Sequence, residues 1–280
     1  MHMQKIKLEH SLITLGFWLS GLIILGILVG IIAYIFVKGI SSVNLDFILQ
    51  PPSRAGRAGG ISTTIVGTVY LTLMSLIIAV PIGVGSAVYL EEYAHSRSRF
   101  ARLVNLTAET LAGIPSIIYG LFGFVFFVAF LDLGWSIISG SLTLAIMILP
   151  TITRTAQEAV LTVAQEYREN SLALGASKWQ TIRKVILPSA LPGIVTGIIL
   201  SIGRAVGETA AIILTAGSSL GMPISPLDPA RTMSVHLYIL AMEGISNERA
   251  LGTALLIVVF IIVINYMANL SLKRLTRDMR

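Results

Sequence analysis

Six long runs without a single charged residue constrain this chain more than any other feature. They cover Ser11–Val37, Gly59–Leu90, Thr110–Leu131, Leu133–Thr153, Val185–Gly203 and Ala250–Leu272. About 20 apolar residues carry a helix across the hydrocarbon core of a bilayer, and each run reaches about that length. Lipid offers the backbone no hydrogen-bond partners, so each spanning segment must satisfy its own. The runs therefore predict an all-α, polytopic membrane protein with six transmembrane helices. Thr209–Leu227 is a further apolar piece, read as an extra or re-entrant segment. Composition agrees: 55% of the 280 residues are hydrophobic and 12% are charged, unlike an ordinary soluble domain.

The basic residues fall unevenly between the runs. Lys5, Lys7, Arg97, Arg99, Arg102, Arg154, Arg168, Lys178, Arg183, Lys184, Lys273, Arg274, Arg277 and Arg280 share one side. Lys38, Arg54, Arg57, Arg231 and Arg249 share the other, and Arg204 lies within a run. The positive-inside bias puts the larger set, and both termini, in the cytoplasm. The net charge of +6 then reflects topology and contact with anionic membrane lipid, and gives no reason to expect nucleic acid as a partner. The first run is longer than a signal-peptide core and ends in Ala-Tyr-Ile-Phe-Val-Lys without a small-residue cleavage site, so it reads as a retained span. Residues 1–58 form an N-terminal helix and external loop, 59–272 the main transmembrane domain, and 273–280 a basic cytoplasmic tail.

Within this frame, several patterns bear on packing. Gly16, Gly21, Gly26 and Gly30 let the first span approach neighbours closely. Gly193 with Gly197, and Gly203 with Gly207, read as helix contacts of the same kind. Pro81 is expected to kink the second span and Pro150 to break or kink the fourth, while Gly113 to Gly123 marks a bent third span.

Two stretches carry the chemistry. Residues 166–188 are charged and amphipathic, closed by Leu187-Pro188; Ser171, Leu172, Gly175 and Lys178 are spaced like one helical face, and Gly175 permits close backbone approach. This segment either lies on lipid or docks into a groove of a cytoplasmic partner. Further along, Arg204 and Glu208 stand one helical turn apart, on nearly one face of the fifth span. A charge near a bilayer centre costs roughly 2.5–3.5 kcal/mol, so the pair either lines a transport path or locks helices as an ion pair. For the path reading, Arg204 offers a fork of donors suited to phosphate oxygens, and Glu208 an acceptor for a protonated substrate. Arg154 extends that positive path or snorkels at the interface.

Other chemistry finds no support. There is no cysteine, and His2, His10, His95 and His236 lack metal-ligand spacing. Gly217-Ser-Ser-Leu-Gly221 fits a nucleophile elbow in letters only, because it leaves a membrane helix. No phosphate-binding Gly-x-x-x-x-Gly-Lys-[Ser/Thr] occurs, so no ATP site or other cofactor is expected here.

Glu169-Asn170-Ser171, three residues, Gly175, nine residues and Val185-Ile186-Leu187-Pro188 resemble the cytoplasmic signature of ATP-binding-cassette (ABC) importer permeases. Asn170, Ser171 and Val185 depart from the two alanines and the isoleucine of that signature. Gly113-Ile-Pro-Ser-Ile-Ile-Tyr-Gly-Leu-Phe-Gly123, Leu172-Ala-Leu-Gly-Ala-Ser-Lys-Trp179 and Arg204-Ala-Val-Gly-Glu-Thr-Ala210 resemble the phosphate-importer permeases, PstA-type more than the sister PstC-type. The resemblance implies a type I importer permease fold of the MetI-like kind, with no catalysis of its own. It implies inorganic phosphate as cargo, a PstC-like permease partner, a PstB-like ATPase dimer and a PstS-like external phosphate-binding protein. Glu169, Leu172, Gly175, Ala176, Lys178 and Trp179 are the implied ATPase-coupling residues, and Arg204, Glu208 and Arg154 the implied substrate path. The rival of a different class is a secondary transporter, although paired inverted repeats are not visible. A non-transporting membrane anchor is the third alternative.

Overall fold

The computed structural model describes residues 2–94 and 99–277. His95, Arg97 and Arg280, which entered the readings above, lie outside the described residues. The order is α1 (His2–Gly39), α2 (Leu45–Leu49), a hairpin of β1 (Pro52–Ser53) and β2 (Ala58–Gly59), then α3 (Ser62–Val88) and α4 (Arg99–Ala112). Next come α5 (Ser116–Gly123), α6 (Ile137–Leu161), α7 (Gln165–Ala173), α8 (Lys178–Thr181) and α9 (Leu187–Gly207). The chain closes with α10 (Ala210–Thr215), α11 (Met233–Met242) and α12 (Asn247–Arg277). Wide π turns extend α3 over Tyr89–Tyr93 and α5 over Phe124–Phe130, and a third, Ile182–Ile186, joins α8 to α9.

Five continuous stretches are long and apolar enough to cross a membrane: Ile13–Ser42, Ser62–Tyr93, Ile137–Leu161, Lys178–Gly207 and Asn247–Leu270. The expected third span is different. It is a pair, Arg99–Ala112 with Ser116–Phe130, bent by 104°. Pro115 begins α5 in an extended conformation and has no N–H to continue the helical ladder. The Tyr119 hydroxyl donates to the Leu111 carbonyl at 2.6 Å, so the corner is fastened across the bend.

Of the break or kink expected at Pro150, there is no break, and α6 continues through it as expected to Leu161. Leu187-Pro188 does not close the charged segment, because α8, the π turn and α9 run on as one helix from Lys178 to Gly207. Pro188 sits in the first turn after the π turn, where a missing N–H disturbs the ladder least.

The buried helix is α6. Leu144, Met147, Ile148 and Ile152 pack against Leu71 and Ala79 of α3 and against Ala205 and Ile212. A second cluster joins Ala159 and Val160 of α6 to Ala87 of α3 and to Ile182, Ile186 and Ala190. In lipid, such helices associate through close fit more than through exclusion of water, and small residues permit it. The expectation for the fifth span's first glycine pair holds: a Cβ at Gly193 would stand 2.6 Å from the Ala159 Cβ, and Gly197 abuts Thr155. Gly203 and Gly207 instead face nothing within 4 Å among the described residues, so they make no close helix contact there.

The first span also departs from expectation. Nothing lies within 4 Å of a Cβ built at Gly16, Gly21, Gly26 or Gly30. Small residues allow close approach but do not supply a neighbour. α1 touches the bundle near its C-terminal end, where Gly39 faces Leu251 of α12. Arg57 donates to Ile245 O and Arg249 to Gly59 O at one end, while the ends of α3 and α6 meet α7 at the other.

Candidate functional site

Arg204 occupies the last turn of α9, half-buried. A cation is favoured there, because the final carbonyls of a helix have no partner within it. The helix ends at Gly207, and Glu208 turns to an extended conformation (φ −70, ψ 132). Arg204 and Glu208 therefore do not share a helical face, contrary to their spacing. Glu208 looks the other way. Its Oε1 accepts from the Ala211 N–H at 3.1 Å, capping α10, and its carbonyl accepts from Ser234 Oγ of α11 at 2.6 Å. The ion pairs among the described residues are Arg154–Glu109, Arg154–Glu158 and Arg168–Glu92, and none includes Arg204.

The two interrupted helices meet. A Cβ on Gly120 of α5 would lie 2.8 Å from the Ala211 Cα, so α5 rests on the backbone of α10. Tyr119, which fastens the bend of the third span, lies within electrostatic reach of Arg204. A broken helix in a membrane protein is tolerated where it is buried in protein or lines a cavity, and such breaks mark binding sites. Arg204 is thus a half-buried cation without a carboxylate, beside two broken helices. Arg154 differs: its Nη1 bonds Glu109 of α4 at 2.7 Å, and its Nε lies 3.7 Å from Glu158, in the expected i,i+4 pairing. It lines a cavity of about 350 Å³ with Glu109, Pro150 and Thr155. A larger groove of about 610 Å³, between Pro81 of α3 and Leu187–Ile198 of α9, is apolar except for Arg183.

At the basic end, α7 stops at Ala173 and Gly175 takes a φ of +85, open to L-residues only with strain. Ala176 N–H bonds the Ser171 carbonyl and Gly175 N–H the Leu172 carbonyl, the pattern of a Schellman stop. Ser171, Leu172, Gly175 and Lys178 therefore do not form one helical face. The positive φ favours glycine here, and no described residue crowds it. Ser177 then starts α8 with a reciprocal cap, Gln180 N–H to Ser177 Oγ and Ser177 N–H to Gln180 Oε1. The Ser-Lys-Trp-Gln sequence held that signal, and it went unread. Lys178 stands 4.9 Å above the Tyr93 ring. Glu169, Leu172, Leu174, Gly175 and Trp179 are exposed and Ala176 half-buried. Arg168 and Glu92, not singled out from sequence, pair at 2.9 Å.

Among the described residues no cluster of His, Asp or Glu could hold a metal ion. Residues 79–280 match the family model for the binding-protein-dependent transport system inner membrane component. The chain is 34% identical to the probable ABC transporter permease protein YqgI of Bacillus subtilis, over 97% of this chain and 99% of that one. It is 36% identical to the phosphate transport system permease protein PstA 1 of Mycobacterium tuberculosis, over 75% of this chain and 70% of that one. Its fold resembles a bacterial alginate ABC transporter crystallised in complex with alginate pentasaccharide-bound periplasmic protein. The TM-score is 0.63 at 16% identity, covering 94% of this chain and 95% of that one. A secondary transporter and a passive anchor are both excluded by this membership.

Proposed function

We propose, from the premise that this chain belongs to the binding-protein-dependent transport inner membrane components and is a permease subunit of an ABC importer, that its cargo is inorganic phosphate. The observation that carries the reading is Arg204: a half-buried guanidinium with no carboxylate on it, at the junction of two broken helices. A planar fork of donors suits a phosphate oxygen pair, and a low-dielectric setting strengthens the contact. Relatives named as phosphate permeases, at 31–36% identity, support the same cargo. Glu208, held by Ala211 and Ser234, offers its carboxylate to a protonated anion. Arg154 joins the path only in a state where Glu109 and Glu158 release it.

In this reading both termini and α7–α8 face the cytoplasm. Glu169, Leu172, Gly175, Ala176, Lys178 and Trp179 meet a PstB-like ATPase dimer. A PstC-like permease completes the path, and a PstS-like protein delivers phosphate from outside. Uptake of each negative charge against a negative-inside potential costs about 2.3 kcal/mol per 100 mV, which ATP hydrolysis on the partner supplies.

The test is Arg204→Ala and Arg204→Lys in the assembled complex, read by phosphate uptake. Both should assemble; Ala should abolish uptake, and Lys should restore little of it because it lacks the fork. Because Glu208 does not pair with Arg204, removing it as well should not restore transport. Uptake at parental rates in Arg204→Ala would exclude the assignment.

A further inference from the structure

No residue of α7 is buried, so apolar packing does not hold it to the bundle. Two polar ties do. Ser171 Oγ and Thr181 Oγ1 share a hydrogen bond of 2.9 Å, joining α7 to the α8–α9 helix. The second tie is Arg168. Its side chain is 15% exposed and donates from Nε to Glu92 Oε1, itself 9% exposed, at 2.9 Å. Its two terminal nitrogens donate to the carbonyls of Val163 and Val160. Val160 lies in the last turn of α6, where carbonyls lack helical partners and a cation is favoured. Glu92 belongs to the π turn that ends α3. One guanidinium thus joins α7 to the ends of the second and fourth spans, and all three of its nitrogens are engaged.

We propose that Glu92 and Arg168 are a positioning pair that makes α7 move with α3 and α6, and not with α9 alone. This rests on the reading that α7–α8 receives the ATPase. A push on α7 then travels by two routes: along the continuous α8–α9 helix, and through Arg168 into α3 and α6. The first route survives loss of the ion pair, and the second does not. Because Arg168 is pinned to carbonyls as well as to Glu92, Lys cannot replace the three-way contact.

The chain contains no cysteine, so spin labels at introduced pairs give a clean signal. In the assembled transporter, labels at Tyr89→Cys and Gln165→Cys, an exposed α7 position outside the docking set, should keep one narrow separation with and without ATP. Adding Glu92→Ala should broaden that separation and make it respond to ATP. In the unlabelled complex, Glu92→Ala should lower substrate moved per ATP hydrolysed by about tenfold, within the usual span of coupling effects. Glu92→Gln, which keeps the acceptor, should recover part of it. A merely structural role would reduce the yield of complex and leave transport per ATP at the parental value in what assembles; that result overturns the proposal. So does a parental separation that already shifts with ATP. An ATPase indifferent to this chain would overturn the docking reading, while the label distances judge the tie independently.

Discussion

Arg231 and Leu174 sit at opposite ends of the bundle in opposite circumstances. Arg231 is a cation only 9% exposed, donating to the Ser218 carbonyl at 2.8 Å with His236 Nδ1 3.5 Å away. Leu174 is a large apolar side chain 89% exposed at the tip of the α7–α8 turn. At the first end, Arg57, Arg249, Gly56 and His236 fasten the hairpin loop onto α11 and α12 from within the chain. At the second, Leu172, Leu174 and Trp179 are exposed among the described residues, and the turn is held by polar ties. The first end is self-sufficient in its polar fastening, although Ile224 and Leu227 also stand exposed there. The second combines exposed apolar surface, of the kind that marks a contact with another molecule, with a turn tied only by polar groups.

Acid should break the self-sufficient end first. Burial, then the charges of Arg231 and Arg249, push His236 down from 6.5 to about 4. The unfolded chain binds the proton more readily, so this contribution is complete above pH 6.5 and is lost as pH falls toward 4. The loss amounts to about 3 kcal/mol. Thermal melts in detergent at pH 7 and pH 4.5 should differ accordingly, and His236→Gln should flatten the dependence. If the variant melts with the parental pH profile, His236 is not what the acid acts on.

A smaller effect sharpens the contrast with one substitution at two sites. Gly56 and Gly175 both have positive φ, +94 and +85, which asparagine tolerates better than most residues. At Gly56 a Cβ would stand 2.7 Å from His236 Cε1, so Gly56→Asn should cost about 2 kcal/mol through overpacking. At Gly175 the described residues leave open space, so Gly175→Asn should cost only its conformational strain, about 1 kcal/mol. Equal losses at the two positions would mean that conformation, not crowding, decides both.

The smallest stability effect belongs to Leu174→Ser, expected within about 0.5 kcal/mol because the residue touches so little. Its consequence should appear in assembly, as weaker co-purification of the ATPase. A substantial drop in melting temperature with unaltered co-purification would make Leu174 an internal contact after all.

Charge-free runs located the spans because lipid penalises any exposed polar backbone, and that rule needs no knowledge of neighbours. The breaks obey other rules. Gly113 and Pro115 announced a bend in the third span, but not its 104° angle nor the Tyr119 hydroxyl that reaches back to fasten it at Leu111. Spacing put Glu208 beside Arg204, and the acceptor demand of the Ala211 N–H and Ser234 hydroxyl drew it away. Arg168 and Glu92 are 76 positions apart, so no periodicity connects them. On α1, the glycines, spread around the helix, permit close approach and leave open what comes against it.

The π turn at Ile182–Ile186 has a rotational consequence. It makes one rod of the segment from Lys178 to Gly207, so the azimuth of every downstream side chain is counted from there. Winding the same residues as ordinary α turns would swing Arg204, Gly193 and Gly197 together by about 100° and push them along by about 1.5 Å. Gly193 and Gly197 would leave Ala159 and Thr155, and Arg204 would point into a different quadrant. The wide turn is therefore a phase setting, one that aims a cation some five turns away along the same axis.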